Sequence, residues 1–304
     1  MESNCPPASQ AEADARPRPR FLLRQVHLLY KSQFWTWFGI MTPTTLLADV
    51  VVLWADRQIK AMFRALPSYE VPHHWDKVTE ASLLRLGSFF AAWFLGCFAL
   101  ATIASVVNKL EDESEGAAWI SDRHQRAREH LGGVFMAALT TFCAFLAGLA
   151  VSEFVLAAAV RLVGWSRFSR FSFMVGLIAV VMVASLVSWL GTSIPLLLRA
   201  DTKLLAALRR SVELSSGYEG ALLMLVVESL AGTLVAGYAT FYILHWLVPS
   251  HLRYAPWYGW SVNLAAMLAS AAMEAPLFIG LSLLANPELL NAPSLPSSEQ
   301  TPHI

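Results

Sequence analysis

The sequence predicts an all-α protein, a polytopic bundle of about six transmembrane helices with interfacial amphipathic helices before helices 1, 3 and 5. Composition is the first reason, since 56% of the residues are hydrophobic and 14% are charged, against roughly 45–50% and 25% in an average soluble domain. Length is the second reason, because the apolar stretches are long enough to cross a bilayer core of about 30 Å as helices.

The predicted transmembrane stretches define one domain. The second and the fourth stretch contain no charged residue, which makes them the clearest spans. We expect residues 21–287 to form the transmembrane domain and residues 1–20 and 288–304 to be disordered tails, because prolines and polar residues replace the apolar runs there. The six stretches lie at about 34–54, 86–107, 132–160, 171–198, 219–247 and 258–286.

Charge and cysteine content exclude several classes of protein. Lys plus Arg equals Asp plus Glu at 22 each, so the chain lacks the overall basic field that gathers nucleic acid. The three cysteines, Cys5, Cys97 and Cys143, are scattered and form no CxxC pair. Neither a disulfide framework nor a thiolate metal site is expected.

Basic and aromatic residues predict the orientation in the membrane. Lys and Arg are more frequent on the side that carries both termini, so we expect both termini in the cytoplasm of a bacterial cell, although the basic residues between the first two spans oppose this bias. Tryptophans lie near most predicted helix ends, where the indole ring prefers the headgroup layer. They are Trp35, Trp37, Trp54, Trp75, Trp246, Trp257 and Trp260.

An internal repeat precedes the odd-numbered spans. Segments from Phe21, Ser121 and Asp201 each combine a mixed basic and apolar helix, a short break and a spanning run. The third segment is strongly amphipathic, with leucines at helical spacing on one side, which is typical of a helix in the membrane interface. The alternative to interfacial helices is that these basic residues only set the orientation of the following span, as in any cytoplasmic loop. The candidate contacts to lipid headgroups are Arg24, Lys31, Lys203, Arg209 and Arg210.

The third segment also carries a motif of the form ALxRSxxLxxG. Its matching residues are Ala207, Leu208, Arg210, Ser211, Leu214 and Gly217. With the aromatic run after Phe21, this motif resembles the glycerophosphoryl diester phosphodiesterase membrane-domain family and related six-helix bacterial membrane proteins. The resemblance implies a membrane module over residues 21–287 that is sometimes attached to a separate soluble phosphodiesterase domain. Family members often place a glutamate after the fourth helix, whereas this chain has Arg199, Ala200 and Asp201.

Acidic residues inside the predicted spans are the strongest candidates for a site. Each costs a few kcal/mol at the bilayer centre unless it faces protein or water. Asp49 continues a helical stripe with Thr42 and Thr45, and Glu274 continues one with Asn263 and Ser270, so both should face the bundle interior. A polar cavity or proton path from Asp49, Glu228 and Glu274 is one interpretation, and plain hydrogen bonding between helices is the other. The candidates are Asp49, Glu153, Glu228 and Glu274.

The sequence contains no complete catalytic motif of a membrane enzyme. It lacks a HExxH zinc helix and a GxSG nucleophile, and the segments between spans are too short for a soluble active site. The adjacent His73 and His74 are better explained as a surface pair than as metal ligands. We therefore expect a scaffold or accessory protein that contacts anionic lipid, with other membrane proteins as further candidate partners, and without cofactor, metal or nucleic acid. The alternative is a transporter or lipid-handling protein that uses the intramembrane carboxylates.

Overall fold

The computed structural model describes residues 19–64, 75–109, 129–163, 189–200, 203–249 and 256–291, without the side chains of residues 109, 149, 152–163, 199–200, 256–257, 259–260, 287 and 291. These residues are helical throughout apart from the turns and ends, and they contain no strand. The helices are α1 (Pro19–Ser32), α2 (Phe34–Phe63), α3 (Trp75–Lys109), α4 (Leu131–Val163), α5 (Ser193–Ala200), α6 (Leu204–Ser215), α7 (Glu219–Leu247), α8 (Pro256–Leu284) and α9 (Pro287–Asn291).

Five of the described helices, α2, α3, α4, α7 and α8, are long and apolar enough to cross a membrane. They correspond to the first, second, third, fifth and sixth predicted spans, so the expected polytopic all-α bundle is confirmed. Most of the predicted fourth span, residues 164–188, lies outside the described residues. Its last part, Trp189–Leu198, is a shorter apolar helical stretch that includes most of α5. The chain is a multi-pass membrane protein.

Helix α8 lies at the centre of the bundle, where it contacts α1, α2, α3, α7 and α9. It runs antiparallel to α7, and glycines let the two helices approach closely. A Cβ atom on Gly280 would come within 2.6 Å of the Leu225 side chain, and one on Gly232 within 2.8 Å of Met273. Larger side chains at these two glycines would push α7 away from the centre.

The outward faces of α2 and α7 are apolar and exposed. In the most apolar 18-residue stretch of each of these helices, only 22% is buried inside the bundle, against 56% in the same kind of stretch of α3. On α7, Leu234, Val235 and Tyr238 are all more than half exposed. A continuous exposed surface of this kind is stable only against hydrocarbon, so these faces contact lipid.

Exposed tryptophans mark both edges of the hydrocarbon layer along α2. Trp35 and Trp54 are 78% and 54% exposed, and the helix between them is about 28 Å long, which matches a bilayer core. Helix α2 continues to Phe63 beyond Trp54, where Arg85 of α3 binds Asp56 at 3.1 Å. The α2–α3 hairpin therefore extends past the lipid layer.

Trp37 is an exception among these tryptophans. It is completely buried, and its indole Nε1–H donates a hydrogen bond to the Leu29 carbonyl at 3.0 Å. The prediction that Trp37 marks the headgroup layer is wrong, because its ring instead joins the end of α1 to the start of α2.

Helices α1 and α6 are separate elements at one end of the bundle, where α2 and α7 begin and α8 ends. We call this the α1 end. Helix α1 buries Leu22, Val26 and Leu29 against the bundle. A break at Gln33, with φ −126°, separates it from α2. The second segment of the repeat, from Ser121, falls largely outside the described residues.

The side of α6 that packs against the bundle differs from the leucine stripe. The buried residues are Ala207, Ser211 and Ser215, whereas Leu205 is 80% exposed and Val212 is 44% exposed. The small side chains allow the α6 backbone to lie close to its neighbours, α4 and α5. Leu205 and Val212 are left facing outward, whereas Leu204 and Leu214 are half-buried against the core.

Helical structure extends beyond the predicted transmembrane domain at both ends. Helix α1 begins at Pro19, inside the predicted tail 1–20. At the other end, α9 extends to Asn291, and Leu289 and Leu290 are buried. The predicted disordered tail 288–304 is therefore wrong for its first residues, because these two leucines join the core against α1 and α8.

Candidate functional site

Three spans line a partly open polar cavity of about 160 Å³. Asp49 of α2 and Glu274 of α8 both line it, so the structure brings these two predicted acids together. Its other walls carry hydroxyl groups and small side chains. The described lining residues are Met41, Thr44, Thr45, Ala48, Asp49, Ala92, Gly96, Ala99, Ser270 and Glu274.

The spacing of residues along the helices explains why the cavity forms. Thr45 and Asp49 are one turn apart on α2, and Ser270 and Glu274 are one turn apart on α8, so each pair lies on one face. Opposite them, α3 contributes Ala92, Gly96 and Ala99 at helical spacing. A Cβ atom on Gly96 would meet nothing within 4 Å. Polar groups on two helices therefore face small residues on a third.

The cavity is rich in oxygen atoms. Ser270 donates a hydrogen bond to the Glu274 carboxylate at 2.7 Å. The Asp49 and Glu274 carboxylates line the same cavity, so they repel each other when both are charged. No Lys, Arg or His is among the described residues that line the cavity. Such a set of donors and acceptors suits a proton or a small hard cation, because nothing in it neutralises two negative charges.

Pro276 shapes the α8 wall without breaking the helix. A proline has no N–H, so the carbonyl four residues earlier, that of Ala272, loses its normal helical partner. The Tyr30 hydroxyl of α1 donates to this carbonyl at 3.1 Å. Helix α8 is continuous from Pro256 to Leu284, and Tyr30 satisfies the freed carbonyl between Ser270 and Glu274.

The other predicted acids lie elsewhere. Glu228 does not line the cavity, and its carboxylate instead contacts the His27 ring at 2.9 Å. The proposed cluster of three acids is therefore reduced to Asp49 and Glu274. Glu153 belongs to α4, and its side chain lies outside the described residues. Asn263, predicted to continue the Glu274 stripe, is exposed and is not part of the cavity.

Sequence reasoning missed His27 and Tyr30. Both lie on α1 between the basic residues Arg24 and Lys31. Their partners, Glu228 and Ala272, are 201 and 242 positions away. The sequence shows His27 as a polar side chain beside the apolar face of α1. The residues around it in the chain do not identify its distant partner.

The predicted headgroup contacts all lie on helices of the α1 end or just before them. Arg24 and Lys31 are exposed on α1, and Lys203, Arg209 and Arg210 are exposed at α6. Arg209 also contacts Glu213 one turn away, with 3.4 Å between Nε and Oε1. Exposed basic residues beside apolar ones suit contact with anionic headgroups.

Comparison with known proteins finds no matching family model, no matching curated protein and no matching solved structure. Within the described ranges, no three His, Cys, Asp or Glu side chains converge as metal ligands. His73 and His74 lie outside those ranges.

Proposed function

We propose that this multi-pass membrane protein binds and releases a proton at the Asp49–Glu274 cavity, as part of a transport or lipid-handling cycle rather than as an enzyme. The observation that carries the proposal is that carboxyl groups from two different spans open onto one cavity. Simple hydrogen bonding between helices would need only one acid and a hydroxyl partner.

A proton is the ligand that fits the cavity best. Two carboxylates close together in a low-dielectric layer cannot both stay charged at small cost, and a shared proton removes one of the charges. The Ser270 hydroxyl already donates to Glu274. A cavity of about 160 Å³ also has room for a few water molecules, at about 30 Å³ each, through which a proton can leave.

The test is a count of the protons taken up by the reconstituted protein when the pH is lowered from about 8 to about 6, a range in which exposed carboxyl groups stay ionised. We expect the double variant Asp49→Asn, Glu274→Gln to bind about one proton fewer than the unchanged protein. Glu80→Gln is the control, because Glu80 is an exposed acid on the part of α3 outside the lipid layer. An equal count in the double variant and the unchanged protein contradicts the proposal.

The same experiment also tests whether the cavity binds sodium instead of a proton. If adding NaCl at constant pH releases the bound proton, and potassium chloride does not, the cavity exchanges Na⁺ for H⁺. That result would replace the proton by a monovalent cation as the transported species. If neither salt changes the count, a proton alone is the ligand.

A second candidate function is that of a scaffold or accessory protein held on anionic lipid. The observation in its favour is that the exposed cations of α1 and α6 lie at the same end of the bundle. We expect Arg209→Gln together with Arg210→Gln to weaken phosphatidylglycerol retention about fivefold per cation, measured by mass spectrometry of co-purified lipid. Lys60→Gln with Arg64→Gln, on the α2 extension, is the matched control.

The location and the family are part of the same proposal. A bacterial cytoplasmic membrane with both termini inside is supported by the excess of Lys and Arg on the α1 side. Membership of the glycerophosphoryl diester phosphodiesterase membrane-domain family is supported by the ALxRSxxLxxG residues. The glycine of this motif, Gly217, has a φ of 95° at the turn between α6 and α7, which explains why the motif needs a glycine there.

A further inference from the structure

The ring of His27 on α1 lies between two oxygen acceptors. Its Nδ1 atom is 2.7 Å from the Leu23 carbonyl, one turn earlier in α1. Its Nε2 atom is 2.9 Å from the Glu228 carboxylate on α7. The ring therefore joins an amphipathic helix to a membrane span, and it does so outside the Asp49–Glu274 cavity.

Counting protons shows what this geometry requires. A neutral imidazole has one N–H, and a carbonyl oxygen can only accept a hydrogen bond. If Nδ1 carries that hydrogen and donates to Leu23, then Nε2 presents a lone pair to Glu228. A charged carboxylate would repel this lone pair. Both contacts form together only when one further proton is bound, either on the ring or on the carboxyl group.

We propose that His27 and Glu228 form a second proton-binding site, and that its proton docks α1 onto α7. When the proton is bound, Nε2 and Glu228 are joined by a charge-assisted hydrogen bond. When it is lost, the ring keeps its bond to Leu23 and releases α7. The proposal does not depend on what the Asp49–Glu274 cavity binds.

The surroundings allow this proton to exchange at ordinary pH. The His27 and Glu228 side chains are 39% and 47% exposed. The hydrogen bonds to Glu228 and Leu23 raise the pKa of His27 above its usual 6.5. The charged groups that act on it are Glu228 from α7 and Lys31 from α1, and the described residues of α2, α8 and α9 contribute none.

The direction of the pH dependence follows from this raised pKa. The docking energy is fully present below the usual pKa of 6.5 and is lost as the pH rises through the raised value. The Tyr30 bond to Ala272 and the Trp37 bond to Leu29 contain no titrating proton in that range. They hold α1 at α8 and α2 throughout that range, so only the hydrogen bond to α7 is lost.

The experiment is hydrogen–deuterium exchange of the full chain in lipid nanodiscs, followed by mass spectrometry of peptides from α1. Rates are corrected for the pH dependence of intrinsic exchange. We expect α1 to exchange about threefold to tenfold faster at about pH 8.5 than at about pH 5.5. This ratio corresponds to the loss of one charge-assisted hydrogen bond that is partly screened by solvent. Peptides from α6 serve as the internal reference.

Two variants separate this proposal from a general effect of pH. In Glu228→Gln, the amide can donate to the neutral ring, so α1 should be protected equally at both pH values. In Tyr30→Phe, α1 should exchange faster at both pH values while the ratio between them stays. Unchanged protection of the native α1 across the pH range, or a pH dependence that persists in Glu228→Gln, would overturn the proposal.

Discussion

At the scale of single residues, helical spacing placed Asp49 and Glu274 on interior faces, and the structure puts both on one cavity. The same reasoning could not place Glu228. A periodic stripe relates an acid only to polar residues on its own helix. The position of Glu228 depends on His27, which is 201 residues away and belongs to another helix. The sequence therefore predicted inward-facing acids on single helices, but it did not predict which acids from different helices line the same cavity.

Near-isosteric changes of the cavity acids should leave the fold intact. Asp49→Asn and Glu274→Gln keep side-chain oxygens that accept hydrogen bonds and remove only the titrating proton. We expect the melting temperature of each variant in detergent to stay within about 3 °C of the unchanged protein. A loss of the folded protein in either variant would show that the charge itself is structural.

The carbonyl freed by Pro276 provides a second test at this scale. Tyr30→Phe removes the donor that satisfies Ala272 and should cost about 1–2 kcal/mol of stability. In a Pro276→Ala background, the new N–H can satisfy that carbonyl within the helix, so the same change should cost less. Unfolding of all four proteins in a double-mutant cycle measures the difference. Equal costs in both backgrounds would contradict this role of Tyr30.

At the scale of elements, the turn between α6 and α7 explains the end of the sequence motif. Ser216 has φ −61° and ψ 121°, Gly217 has φ 95°, and the Tyr218 N–H donates to the Ser215 carbonyl at 3.0 Å. These values define a type II turn, whose third residue needs a positive φ. The turn sets the angle at which α6 leaves the α7 span.

Replacing this glycine should destabilise the protein. Gly217→Ala forces a Cβ atom into a left-handed conformation and should cost about 1 kcal/mol. Gly220→Ala is the matched control, since Gly220 is exposed at the start of α7 and a Cβ there meets nothing within 4 Å. We expect that change to be neutral or slightly stabilising in the same thermal unfolding assay. Equal destabilisation by both substitutions would argue against the turn.

Helix α6 also shows where a periodic pattern misleads. Its leucines and cations predict an amphipathic helix, and the sequence does form a separate helix there. However, the pattern identifies an apolar side without saying whether protein or lipid covers it. In a membrane, small residues rather than large apolar ones mark close packing. Ala207, Ser211 and Ser215 therefore face the bundle, and Leu205 faces outward.

At the scale of the whole molecule, hydrophobic length predicted which segments cross the membrane, because a bilayer imposes the same length on every span. The arrangement of the spans was not predictable. It depends on local features such as Gly280 opposite Leu225 and Gly232 opposite Met273. The cavity arises from that arrangement, since it needs small residues of α3 to face polar residues of α2 and α8.

The topology prediction concerns the two termini. Six spans place residues 10 and 300 on the same side, whereas the five described spans alone would place them on opposite sides. Gln10→Cys and Gln300→Cys, each in a background without native cysteines, can be labelled with a reagent that does not cross the membrane. We expect both to react from the cytoplasmic side. Labelling from opposite sides would show that the predicted fourth span does not cross the membrane.

The most direct test of the proton-binding cavity is infrared difference spectroscopy of the protein in lipid, recorded between low and high pH. A protonated carboxyl group in an apolar site has a C=O stretching band separate from that of exposed acids. We predict such a band in the unchanged protein and in Glu80→Gln, and its loss in Glu274→Gln or Asp49→Asn. A band that persists in both cavity variants, or no such band in the unchanged protein, would contradict the account.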